Sequence, residues 1–262
     1  MKPLAEFPVA DRGKVRGVLA DIDDTLTTHG RLFAASYGAL EKLQGAGLLV
    51  IPVTGRPAGW CDHIARMWPV DGVVGENGAF YFHFADGKLQ KRFYDSDAVR
   101  VRNRKRLQAI GKRILARVPG CAIASDQPYR EADLAIDFCE DVPPLPLEAA
   151  QGIADLMRAE GLNAKVSSIH VNGWFGHYDK LAMTKSLCAE VLAVSTQQLQ
   201  SEFAFAGDSP NDAPMFAYFA HSVGVANVAR FVGRMEAEPK FVTRGFAGSG
   251  FAELAAHLLG MR

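Results

Sequence analysis

The sequence is short of cysteine, carries no surplus of charge and contains no long apolar run. Its four cysteines, Cys61, Cys121, Cys139 and Cys188, lie far apart and form no C-x-x-C pair. That argues against zinc ligation or a disulfide frame and fits isolated thiols in a reducing compartment. Lys+Arg and Asp+Glu number 29 each, so no overall field draws nucleic acid or an acidic membrane. No apolar stretch approaches the roughly 20 residues that a membrane helix needs. The opening MKPLAEFPVADRGK has neither an apolar h-region nor a small-residue cleavage pattern. No signal peptide is expected, and the expected location is cytoplasmic.

What is present is an ordinary globular composition, 48% hydrophobic and 22% charged. A chain of 262 residues can build a full core and a second, smaller domain. Two segments alternate strand and helix signals. VRGVLADI and LLVIPVTG read as buried strands, with a helical pattern over Leu32 to Leu43 and another around Trp60 to Met67. DGVVGENGAFYFH contains a further strand. Near the end, Leu181 to Val194 reads as helix, EFAFAGD and SVGVAN as short strands, and Gly250 to Leu259 as a closing helix. Continuous apolar strands separated by helices predict a parallel sheet covered on both faces.

The middle differs. From about Ala85 a hairpin leads into a strongly basic helix near Ala98 to Val118. The strand ADLAIDFC follows, then a helix opened by DVPPLPLEAA, then a strand NAKVSSIHVNG. The expected organisation is a core of residues 1–84 and 172–262 with an α/β domain, 85–171, inserted between its halves.

Three aspartates crowd the end of the first strand in GVLADIDDTLTT: Asp21, Asp23 and Asp24. In an open parallel sheet, ligands sit beyond the carboxyl ends of the strands. Like charges placed there gain if they share a divalent cation, which prefers carboxylate oxygens. One carboxylate can then act as nucleophile while another carries protons. AGDSPNDAPMF repeats the pattern, with Asp208 after a short strand and Asp212 four residues on. In VTGRP, the Thr54 hydroxyl and neighbouring backbone N–H groups can hold a phosphoryl oxygen. Lys180 opens a helix, where a cation opposes the helix dipole unless an anion compensates. A turn, a strand end or a solvated lysine explains each of these alone.

Together and in this order, DIDDT, TGR, Lys180 and GDSPND resemble the four motifs of the haloacid dehalogenase superfamily. The insertion between the second and third motifs, with ENGA at Glu76 to Ala79, resembles the subclass with a large α/β cap (the C2B type). That subclass includes Cof-type sugar-phosphate phosphatases and the sucrose-, trehalose- and mannosylglycerate-forming phosphatases. Position 24 is Asp where the subclass often has Gly, and Leu181 follows Lys180 where Gly is usual. Lys185 is a neighbouring lysine that could take the role of Lys180.

The resemblance implies a Rossmann-like core and a capped, Mg²⁺-dependent phosphatase acting on a small phosphorylated metabolite, with a sugar phosphate expected. Asp21 would attack phosphorus to form an aspartyl phosphate, and Asp23 would carry protons. Asp21, Asp23 (through its carbonyl), Asp208 and Asp212 would bind the cation. Thr54 and Lys180 would neutralise the phosphoryl group, and Gly55, Asn77 and Asn211 complete the expected substrate-binding set. Arg56 could hold a second anionic group. In the strand VSSIHVNG, Ser168, His170 and Asn172 share one face by the two-residue period and could bind sugar hydroxyls; a solvated polar face would look the same. A phosphomutase and a non-enzymatic sugar-phosphate sensor are the alternatives.

The basic stretch from Arg100 to Arg117 keeps Val101, Leu107, Ile110, Ile114 and Val118 at approximate helical spacing. With no interleaved aromatics, it reads as a solvated helix face, and no nucleic-acid partner is expected. Oligomeric state leaves no trace in the sequence.

Overall fold

The structure is a computed structural model describing residues 1–260. Its larger sheet has six strands in the order Lys2–Pro3, Phe241–Val242, His221–Gly224, Phe203–Gly207, Gly17–Ala20 and Leu49–Pro52. Every neighbouring pair is parallel. The central strands are buried along their whole length, which explains their unbroken apolar sequences. Successive residues feed opposite faces: Val18 and Ala20 join Leu40, Leu43 and Phe251 on one side. Leu19, Phe203 and Phe205 join Met183, Leu187 and Phe216 on the other. Helices Ala34–Gly45 and Ala247–Leu258 pack together on the first face, and Lys180–Glu190 covers the second.

The smaller sheet is antiparallel, in the order Ala122–Ile123, Asp133–Asp137, His170–Trp174 and Asn163–Val166. The basic helix Asp97–Arg117 and the helix Leu147–Ala159 supply its core through Leu107, Ile110, Ile114, Ile153 and Met157. Part of the helix's charge is paired: Arg104 with Glu131 and Arg113 with Glu160, while Arg106 lies over Phe175. Among the described residues no helix is long and apolar enough to cross a membrane.

Two local readings of the sequence need correction. NAKVSSIHVNG is two antiparallel strands, Asn163–Val166 and His170–Trp174, not one. Ser167 makes the turn: its hydroxyl accepts from the amide of His170 at 3.0 Å, and its amide donates to the His170 carbonyl at 2.8 Å. Ser168 therefore sits in the turn and shares no strand face with His170 and Asn172. The hairpin expected from about Ala85 instead pairs Phe80–Ala85 with Lys88–Phe93, and Val73–Gly75 extends it to three strands.

Between those last strands, Glu76, Asn77 and Gly78 all have positive φ, at 42°, 55° and 105°. Gly78 has a reason beyond its backbone, because a Cβ there would lie 2.0 Å from the Asp179 carbonyl. The kink turns the Glu76 carboxylate inward, where it accepts from the amides of Ala58, Glu131, Ala132 and Asp133 at 2.6 to 3.2 Å. Ala58 opens a helix beside the larger sheet and residues 131–133 lead into the smaller one, so one buried side chain ties the two layers.

Candidate active site

Asp21 and Asp208 follow directly on neighbouring parallel strands, and the Asp21 amide donates to the Ala206 carbonyl at 2.9 Å. Both carboxylates thus leave the sheet at the same edge. Asp212 joins them because residues 208–212 form a tight turn: its Oδ2 accepts from the amides of Asp208 at 3.1 Å and Ser209 at 3.4 Å. Oxygen atoms of Asp21, Asp208 and Asp212 lie within 4.8 Å of one another, all buried.

Lys180 reaches the cluster from the opposite helix, with Nζ 2.6 Å from Asp21 Oδ1 and 2.8 Å from Asp212 Oδ1. The Asp179 side chain caps that helix by accepting from the Ala182 amide at 2.7 Å. The cation that opposes the helix dipole is therefore stabilised by two carboxylates. Lys185 is not its equivalent, since it lies over the Tyr218 ring, 4.3 Å from the centroid.

Burial pushes the Asp21 carboxyl up to about 8, with Asp212 and Asp23 adding to the rise and Lys180 opposing it. Burial, followed by the charges of Asp21, Asp212 and Asp24, likewise raises Asp208 well above the usual carboxylate range. Burial alone would lower the Lys180 ammonium, but Asp21 and Asp212 outweigh it and hold it up. Three carboxylates face one ammonium, an excess of two negative charges at full ionisation. Asp208 Oδ1 is buried and has no hydrogen-bond partner among the described residues. An acidic, all-oxygen cluster with an orphaned carboxylate oxygen fits a hard divalent cation such as Mg²⁺.

The remaining expected residues assemble around this centre. Thr54 is fully buried, and its hydroxyl accepts from the Arg56 amide at 3.0 Å. Asn77 is buried with its Nδ2 unpartnered, beside Gly55, where a Cβ would lie 3.2 Å from that nitrogen. Asn211 Oδ1 accepts from the Ser209 hydroxyl at 2.7 Å. A cleft with only about 10 Å³ of free space separates Asp21, Asp23 and Arg56 from Ser168, His170 and Asn172 of the smaller sheet. Asn172 is already engaged, donating to Asp133 Oδ2 at 2.9 Å. A roomier cavity of about 710 Å³ lies elsewhere, between the basic helix and residues 123–134, and contains none of the acidic cluster.

Arg56 differs most from expectation. Rather than standing free for an anion, its Nε and Nη2 hold Asp23 at 2.8 to 3.0 Å, while Nη2 donates to Glu140 Oε1 at 2.7 Å. Position 24 also becomes intelligible. Its φ of 55° is left-handed, which favours glycine and which aspartate tolerates. Its carbonyl accepts from Asn227 Nδ2 at 2.8 Å, and the same amide group reaches Asp208 Oδ2 at 3.1 Å. Sequence reasoning assigned Asn227 no role; its only signal was a place just past a strand end, on the edge where Asp21 and Asp208 emerge.

A family model described as haloacid dehalogenase-like hydrolase matches residues 18–101, the span that carries DIDDT, TGR and ENGA. Over that span the chain resembles haloacid dehalogenase-like hydrolases. A phosphoglycolate phosphatase of Methanoculleus marisnigri is 26% identical over 241 residues, covering 91% of this chain and 94% of the relative. Another, from Archaeoglobus fulgidus, is 27% identical over 249 residues and covers 95% and 98%. The same fold occurs in the C-terminal domain of Candida albicans trehalose-6-phosphate phosphatase, with a TM-score of 0.71, 13% identity and coverage of 100% and 99%. The chain thus shares its fold with a distant phosphatase along nearly its whole length.

Proposed function

We propose that this hydrolase is a Mg²⁺-dependent phosphatase that cleaves a small phosphate monoester through an aspartyl-phosphate intermediate. The observation that carries the proposal is the convergence of Asp21, Asp208 and Asp212, from three separated parts of the chain, within 4.8 Å and against Lys180. The Asp21 carboxylate attacks phosphorus, and Asp23 protonates the departing alcohol and then takes a proton from the attacking water. Lys180 and Thr54 face the transferring phosphoryl group and offset its charge. Asp21, the Asp23 carbonyl, Asp208 and Asp212 would hold the cation, which supplies further charge neutralisation and orients the phosphoryl group. The smaller sheet, with His170 and Asn172, serves as a cap that selects the leaving group.

Two substrate classes compete. The likeness in fold to a trehalose-6-phosphate phosphatase supports a sugar phosphate. The two phosphoglycolate phosphatases, aligned over more than nine-tenths of the chain, support a short phosphorylated acid. Released phosphate measured across both classes, with and without Mg²⁺, decides between them. An Asp21→Asn variant with near wild-type turnover would refute the mechanism. A need for a sugar bisphosphate without net phosphate release would show a mutase instead.

A further inference from the structure

Glu140 is a carboxylate from the smaller sheet that touches the machinery of the larger one. Its backbone is built for the purpose. Asp137, at the end of strand Asp133–Asp137, accepts from the amides of Cys139, Glu140 and Asp141 at 2.8 to 2.9 Å. That nest fixes the turn on which Glu140 stands. Its side chain then crosses the cleft, with Oε1 2.7 Å from Arg56 Nη2 and Oε2 3.4 Å from Nη1. His170 Nε2 lies 2.8 Å from Oε2 on the same side.

The guanidinium is a rigid plane, so holding one edge fixes the other. Arg56 offers Nε and Nη2 to Asp23 and its outer edge to Glu140, and its plane rests on the Trp60 ring 4.4 Å away. Asp126 gives only a long contact, at 3.5 Å. Without Glu140 the plane keeps Asp23 and Trp60 but loses its short partner across the cleft.

We propose that Glu140 is a positioning residue for proton delivery, aligning Asp23 through Arg56 when the smaller sheet is seated over the site. This rests on the reading of Asp23 as the group that protonates the leaving alcohol. Expulsion of an alkoxide needs that proton at the moment of cleavage, whereas expulsion of a nitrophenolate does not. Misalignment of Asp23 therefore slows the leaving-group step of alkyl esters selectively, while any effect on hydrolysis of the shared aspartyl phosphate is the same for both classes.

The test compares Glu140→Gln with the wild type on phosphoglycolate, or whichever alkyl phosphate the enzyme prefers, and on para-nitrophenyl phosphate. The expected result, read in single-turnover release of the leaving group, is a fall of about 10- to 100-fold for the alkyl ester with nitrophenolate release from the aryl ester held within about twofold. Glu140→Asp, which keeps the charge but withdraws it by one methylene, should show the same selectivity more weakly, and urea unfolding confirms that both variants fold. Equal losses in the leaving-group step on both esters, or none on either, overturn the assignment of Glu140. The Asp21→Asn control on the aryl ester addresses the underlying reading separately: its retained activity would remove the aspartyl-phosphate mechanism, whatever Glu140 does.

Discussion

Asp212 divides its two oxygens between Lys180 and Asp208: Oδ1 lies 2.8 Å from Lys180 Nζ, and Oδ2 accepts from the Asp208 amide at 3.1 Å. This division works only because the residue preceding Asp208 has no side chain. A Cβ on Gly207 would lie 2.5 Å from Asp212 Oδ2. Gly207→Ala should therefore displace the carboxylate and lower Mg²⁺-dependent turnover by about 100-fold, the scale expected for an ångström of misplacement. Phosphate release measured across a Mg²⁺ titration checks this, and unchanged saturation with unchanged kcat would contradict it.

Asn227 orients Asp208 without belonging to the acidic cluster. Its amide reaches both Asp208 Oδ2 and the Asp24 carbonyl, and its own oxygen accepts from the Ala247 amide at 3.0 Å. Asn227→Ala should weaken Mg²⁺ binding by about 10- to 100-fold, as outer partners of metal ligands do. Calorimetric titration of Mg²⁺ into the variant measures this directly.

Glu76 is expected to matter for stability more than for chemistry. It is fully buried and its carboxylate accepts four backbone amides. In Glu76→Gln the new amide nitrogen faces donors it cannot accept, leaving buried N–H groups unpaired. A loss of about 3 kcal/mol is expected in urea unfolding. Breaking the exposed Arg104–Glu131 pair by Glu131→Gln should cost about 1 kcal/mol or less.

The Arg56–Glu140 contact should be acid-labile in a defined window. Burial pushes the Glu140 carboxyl up, but its contacts with His170 and Arg56 outweigh that and bring it down to about 2. A carboxylate with a depressed pKa adds stability above its unfolded value, which is lost as pH falls through the folded value. Arg56 stays charged throughout, and Asp126 and Asp23 share its guanidinium. The wild type should therefore exceed Glu140→Gln in stability near neutrality, with the gap narrowing as pH drops from about 4.5. Urea midpoints of both proteins between neutral pH and the acid limit of folding check the sign.

The fold and the convergence of the aspartates were legible because their signals are local. Unbroken apolar runs such as GVLA and FAFAG mark strands buried on both faces, and an aspartate just past each marks the edge where they emerge. The Ser167 turn was hidden because a Ser-Ser pair between two alternating segments also suits a continuous strand. Arg56, Glu140 and Asn227 were misread or missed for another reason. Their partners lie 84 residues away for Arg56 and Glu140, and 203 for Asn227 and Asp24, and no spacing rule connects residues that only the folded chain brings together.

The narrowness of the cleft bears on the tempo of turnover. Free space of about 10 Å³ is barely enough for one water molecule, and a phosphate ester is many times larger. On the proposed function, a substrate of that size is expected to enter and leave only with the Arg56–Glu140 contact parted, which makes ingress and egress steps in their own right. Added viscogen should slow the enzyme on a fast-reacting ester and leave a sluggish one untouched.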